Sequence, residues 1–111
     1  MKIFIEFWKA RDNWHQLSKQ ERIDYLGQIG PVIEDLVSKG VVFEAWGVNE
    51  DKTPQKADYD FYAVSKLPSQ ELLESFQNVV EASGWYEYFD QVNISGDNIA
   101  VESVIAKMIE L

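Results

Sequence analysis

The order of strand-like and helix-like segments is the feature that most limits what this chain can fold into. Residues 2–9 read KIFIEFWK, and their apolar side chains alternate with the period of two that is typical of a strand. Residues 41–48, 57–65 and 85–94 are rich in aromatic and β-branched residues and predict three more strands. A helical pattern separates the first strand from the second, and another separates the third from the fourth.

The two helices are bounded by recognisable end signals. Ser18 followed by Glu21 predicts a capping box at the start of the first helix, and Gly40 predicts its end. Gly30-Pro31 lies inside this segment, so we expect a kink or two abutting helices, because proline lacks the amide proton that an inner turn needs. Ser69 predicts the cap of the second helix, which Ser83-Gly84 ends.

Apolar residues near the C-terminus recur three and four positions apart, at Val101, Val104, Ile105 and Met108. This spacing favours a short C-terminal helix, and a fifth strand is the alternative. The whole pattern predicts an α+β fold with the ferredoxin-like order β-α-β-β-α-β, in which both helices cover one face of an antiparallel sheet. At 111 residues without a linker or repeat, we expect a single domain over residues 1–111.

Composition restricts the environment and the partners. The chain has no cysteine and a formal net charge of -9, with no apolar run that reaches the ~20 residues of a membrane helix. An acidic surface repels phosphate backbones and anionic lipids. We therefore expect a cytoplasmic protein that binds neither nucleic acid nor membranes.

The face of the sheet that the helices leave bare is the most informative prediction. We expect Ile3, Ile5 and Phe7 to face the helices, together with alternate residues of the next two strands. The bare face would then hold the other set: Phe4, Glu6, Trp8, Val42, Glu44, Trp46, Val48, Asp58, Asp60, Tyr62 and Val64. Such a face is too apolar for water, so either a second copy or the C-terminal segment is expected to cover it.

Three sequence motifs carry a resemblance to a known family. Tyr59-Asp60-Phe61 lies in the third strand, Gly84-Trp85-Tyr86 ends the second helix, and residues 88–93 read YFDQVN. With the order of elements, they resemble the dimeric α/β-barrel superfamily, and within it a group of small bacterial proteins of unknown function. The resemblance implies a homodimer through the open sheet face. It selects no reaction, since the superfamily includes cofactor-independent monooxygenases, lactone isomerases, haem-degrading enzymes and proteins with no known activity.

Candidate functional residues follow from the predicted cavity. Carboxylates at Glu6, Glu44 and Asp60 would point into it, and burial could make Glu6 or Asp60 a general acid or base. The alternative is that these groups lie at the cavity mouth or pair with a cation. His15, the only histidine, is a further candidate base or else a surface residue.

The predicted ligand-binding residues are the aromatic side chains Trp8, Trp46, Tyr62 and Trp85, which suit an apolar or aromatic small molecule. Trp85 belongs to an aromatic run with Tyr86, Tyr88 and Phe89 that could floor the pocket, and the alternative is that this run is core or dimer interface. Motifs for a nucleophilic serine, a dinucleotide or a metalloprotease zinc are missing from the sequence, so we predict no cofactor and no metal. Two functions stay open: a small-molecule binding protein or cofactor-independent enzyme that uses a cavity between the sheets of a homodimer, or a non-catalytic homodimeric structural or regulatory module.

Overall fold

A computed structural model describes residues 1–111. The strands are β1 (Lys2–Ala10), β2 (Val42–Val48), β3 (Phe61–Leu67) and β4 (Phe89–Asp97). The helices are α1 (Asp12–His15), α2 (Lys19–Leu26), α3 (Ile29–Ser38), α4 (Gln70–Ala82), α5 (Trp85–Tyr88) and α6 (Val101–Ile109). The strands form one antiparallel sheet in the order β2-β3-β1-β4. This confirms the α+β ferredoxin-like fold, with an open sheet rather than a barrel in the single chain.

The helix ends follow the sequence signals. Ser18 and Glu21 form the predicted capping box, and the Ser69 hydroxyl accepts a hydrogen bond from the Leu72 amide at 3.1 Å. The break expected near Gly30-Pro31 falls between α2 and α3, at residues 27–28. Pro31 therefore lies in the first turn of α3, where a missing amide proton removes no helical hydrogen bond. Gly40 ends α3 with a φ of 110°, a conformation that favours glycine.

Two predicted strand boundaries are wrong. Residues 57–60, assigned to the third strand, stay in the loop because the Asn49 side-chain amide donates to the Ala57 and Tyr59 carbonyls, at 3.1 and 2.9 Å. Residues 85–88, assigned to the fourth strand, form the helical turn α5. Gly84, with a φ of 79°, redirects the chain, and the side chains of Arg11 and Asn13 bind carbonyls of this turn. In both segments, contacts with residues distant in sequence outweigh the local propensity to form a strand.

The predicted face of β1 is also wrong. Phe4, Glu6 and Trp8 point toward the helices, and Phe4 packs against Leu36, Leu73 and Phe76 in the buried core. Strict alternation then places Ile3, Ile5 and Phe7 on the other side. For β3, the prediction that Phe61 and Ala63 face the helices is confirmed, since they pair with Trp8 and Glu6.

A β-bulge changes the side-chain parity of β2. The register with β3 shifts between Phe43 and Ala45, so Glu44 is the extra residue and both Phe43 and Trp46 face the helices. Trp46, which was predicted on the bare side, therefore lies with Trp8 on the helix side.

The face turned away from the helices, called the open face below, is apolar over most of its area, with Lys9, Lys66 and Asp90 toward its ends. Register and alternation assign to it Ile3, Ile5, Phe7, Val42, Ala45, Tyr62, Val64, Val92 and Ile94. Of these, Val42, Val92 and Ile94 are exposed. The C-terminal helix is confirmed as α6, but it touches the open face only at one corner and does not cover it. None of the helices is both long and apolar enough to cross a lipid bilayer.

Candidate functional site

A pocket of about 410 Å³ lies between the sheet and the helices α2, α3 and α4. Its floor is the helix side of β1 and β2, and its walls are aliphatic residues of the helices. The pocket therefore lies on the side of the sheet opposite to the one that the sequence predicted. The volume is within the range of small-molecule sites.

Three of the four tryptophans line this pocket: Trp8, Trp46 and Trp85. Trp8 is at the centre, with ring centroids 6.3 Å from Trp46 and 5.8 Å from Trp85, both in edge-to-face geometry. Phe61, the first residue of β3, stacks on Trp8 at a centroid distance of 5.9 Å. Edge-to-face aromatic pairs fix each other's orientation, so the pocket has a firm aromatic wall.

Glu6 is the one ionisable side chain among the residues that line the pocket, and only 6% of it is exposed. Gln91 on β4 donates a hydrogen bond to Glu6 Oε2 at 3.0 Å. Burial raises the pKa of Glu6 from 4.5 to about 7, and the Gln91 hydrogen bond opposes part of that rise. A carboxyl with a pKa near neutrality can both give and take a proton, which is what a general acid–base needs.

Gln91 is held in place by two further contacts. Its Oε1 accepts a hydrogen bond from the Trp85 indole at 2.8 Å, and its Nε2 donates to Asn93 Oδ1 at 2.8 Å. Tyr86 lies beside this group, and burial raises the pKa of its hydroxyl. The sequence reasoning missed Gln91 and Asn93 as site residues. Gln91 and Asn93 are two residues apart, so the sequence already places them on the same face of β4. Only the pairing of β4 with β1 shows that this face brings them to Glu6.

The other candidate residues do not join Glu6. Asp60 is exposed in the loop before β3, and its amide donates to the Trp8 carbonyl at 3.1 Å. Glu44 is exposed on the bulge of β2, 3.6 Å from the Lys66 ammonium. His15 is exposed at the end of α1 and does not line the pocket. The expected grouping of Glu6, Glu44 and Asp60 is therefore not formed.

Tyr62 lies on the open face and not in the pocket. Its phenol ring covers Gly47 on the neighbouring strand, where a Cβ would overlap the ring. No three His, Cys, Asp or Glu side chains converge in the structure.

Sequence comparison assigns the chain to a family. A family model described as a family of unknown function, DUF6616, matches residues 1–111. The chain belongs to this family. No curated protein has a significant sequence match to it.

Solved structures with the same fold place this DUF6616 chain among ferredoxin-like proteins. A chlorite dismutase variant from Candidatus Nitrospira defluvii superposes with a TM-score of 0.70 at 9% identity over 97% of this chain, which spans 47% of the dismutase chain. A protein of Arabidopsis thaliana gives a TM-score of 0.65 at 13% identity and covers 91% and 98% of the two chains.

A dimeric ferredoxin-like protein of unknown function from Thermobifida fusca gives a TM-score of 0.50 at 16% identity, over 87% and 90% of the two chains. These similarities establish the fold of the DUF6616 chain, and at such identities they transfer no activity.

Proposed function

We propose that the protein binds a neutral, apolar or aromatic small molecule in the pocket between sheet and helices, with Glu6 as proton donor or acceptor. The observation that carries this proposal is a nearly fully buried carboxyl group in a pocket whose other walls are mainly aromatic and aliphatic side chains. A carboxyl group in such surroundings costs stability, and the single hydrogen bond from Gln91 offsets only part of that cost.

The charges around the pocket limit the ligand class. The pocket lining contains no lysine, arginine or histidine. An anionic ligand would meet Glu6 without a compensating cation, among lining side chains that are almost all apolar. A neutral ring system with one hydroxyl or carbonyl group fits, since Glu6 can accept a hydrogen bond when ionised and donate one when protonated.

Glu6 also supports a reaction class. Its carboxylate takes a proton from an O–H or C–H group of the ligand, and the same proton can return to another ligand atom, which amounts to an isomerisation without cofactor. His15 and Asp60 have no part in this step, because neither lies in the pocket. A cysteine-free, acidic chain suits the reducing cytoplasm as the place where this occurs.

The experiment compares 2-naphthol with 2-naphthoate, two flat probes of which only the second is an anion at neutral pH. Tryptophan fluorescence should show saturable naphthol binding and at least about tenfold weaker naphthoate binding. Val80→Phe, which adds a ring inside the pocket, should abolish naphthol binding. Val37→Phe is the matched control on the exposed side of α3 and should bind as the natural protein does. Equal affinity for both probes, or unchanged binding by Val80→Phe, would refute the ligand assignment.

A second candidate function, a homodimeric module, is favoured by the open face. The accessible surface is 7633 Å², whereas a folded monomer of this mass is expected to expose about 6,300 Å². The excess of roughly 1,300 Å² per chain is comparable to what one subunit buries in a stable dimer. The similar Thermobifida protein is described as dimeric. A second copy stacked on the open face is compatible with a ligand in the pocket, because the two sites lie on opposite sides of the sheet.

A further inference from the structure

Helix α6 has an apolar stripe that its own chain covers only at one corner. Val101, Val104, Ile105 and Met108 lie on one side of the helix and are between 43% and 64% exposed. Nine-residue helices are unstable in water unless they pack on something, because the few hydrogen bonds barely offset nucleation. The stripe therefore indicates a surface that α6 contacts outside its own chain.

The position of α6 points to the surface it contacts. The Asn98 amide donates to the Met1 carbonyl at 3.1 Å, which ties the start of the helix to the start of β1. Val104 and Ile99 line a groove with Ile3 and Ile94, two residues of the open face. The apolar stripe of α6 is thus continuous with the open face along one edge of the sheet, and a molecule stacked on that face would meet the helix as well.

The overall dimensions fit the same interpretation. The radius of gyration is 16.0 Å, against about 13 Å for a compact chain of this length. The longest dimension is 50 Å and the shortest 20 Å. A thin, extended chain with an apolar face and a projecting helix has the shape of one subunit of a dimer.

We infer that α6 reaches across to a second copy of this chain and packs its apolar stripe against that copy's open face. The inference rests on the proposed homodimer and adds that the two copies exchange their C-terminal helices. In a two-fold dimer the exchange is reciprocal, since each copy carries both the helix and the face that receives it. A second copy fits better than an unrelated partner, because it supplies the apolar area for the sheet and for the helix at once.

Intermolecular spin labelling tests the exchange directly. The chain has no cysteine, so Lys107→Cys gives a single attachment point beside the apolar stripe, without removing a residue of it. The labelled chain is mixed with isotope-labelled natural protein, and paramagnetic broadening is read from the amides of the isotope-labelled copy. Amides of β1, β3 and β4 in that copy should lose at least half of their intensity. A label at Lys19→Cys, on the helix side, should leave them unchanged.

Each outcome of this mixing experiment has a definite meaning. In a companion sample, the spin-labelled chain itself carries the isotope and is diluted with unlabelled natural protein. Broadening there that equals or exceeds the broadening in the mixed sample would show that α6 stays on its own sheet, and no broadening in either sample would show a free helix; both overturn the exchange. Sedimentation of the natural protein tests the dimer independently of the helix exchange. A monomer would refute both proposals, whereas a dimer without intermolecular broadening would refute only the exchange. Met108→Asp should weaken dimerisation at least tenfold, whereas Glu102→Gln should not.

Discussion

The Gln91 side-chain amide donates a hydrogen bond to the Glu6 carboxyl group at 3.0 Å, between neighbouring strands and across 85 positions of sequence. This contact is the one direct hydrogen bond given to Glu6 by another side chain, and it favours the ionised form. Without it, a carboxyl group this deeply buried would hold its proton to still higher pH. Gln91 thus adjusts the proton affinity of Glu6 toward neutrality.

Glu6→Gln should stabilise the protein at high pH and have little effect at low pH. The folded protein holds a proton on Glu6 up to a pKa of about 7, whereas the unfolded chain releases it near 4.5. The free energy of unfolding therefore falls as pH rises between these values, by about 3 kcal/mol in total. Urea unfolding at pH 4 and pH 8 should show the variant more stable by about that amount only at pH 8. Glu50→Gln, in an exposed loop, is the control, and an identical pH response of both variants would contradict the assignment.

Gln91→Leu should raise the pKa of Glu6 further above its ordinary value. The substitution keeps a side chain of similar volume but removes the donor that stabilises the carboxylate. A carbon-13 titration of the Glu6 carboxyl should show a midpoint above that of the natural protein. Gln70→Leu, on the exposed side of α4, should leave the midpoint in place. A fall in the Gln91→Leu midpoint would mean that the hydrogen bond does not act on the ionised form.

Ile94→Lys should disrupt the proposed homodimer, because it places a charge on the apolar open face, on the edge strand β4 beside α6. A buried unpaired ammonium costs several kcal/mol, so the dimer dissociation constant should rise at least about a hundredfold in sedimentation equilibrium. Ile23→Lys is a matched control, since Ile23 on α2 is 53% exposed and Ile94 is 57% exposed. If both variants dimerise as the natural protein does, the open face is not the interface.

The sequence by itself determined the order of the main elements, the helix caps and the apolar character of both sheet faces. Ser18, Ser69 and Gly40 act through their immediate neighbours, so their roles can be deduced from a few adjacent residues. Alternation in β1 likewise separates Phe4, Glu6 and Trp8 from the residues between them.

Only the tertiary structure decided which of these two sets the helices cover. Both sets are apolar enough to be buried, and the alternation of side chains does not show which of the two faces the helices cover. The β-bulge at Glu44 also exchanges the faces of the β2 residues that follow it, and no local sequence pattern predicts this bulge. Gln91, which bonds Glu6, lies on β4, and Trp85, which bonds Gln91, lies on α5. Both are far along the chain, so the environment of Glu6 depends on strand pairing rather than on neighbouring residues. A carboxyl group's pKa follows from what surrounds it in space, and that arrangement exists only once the sheet has formed.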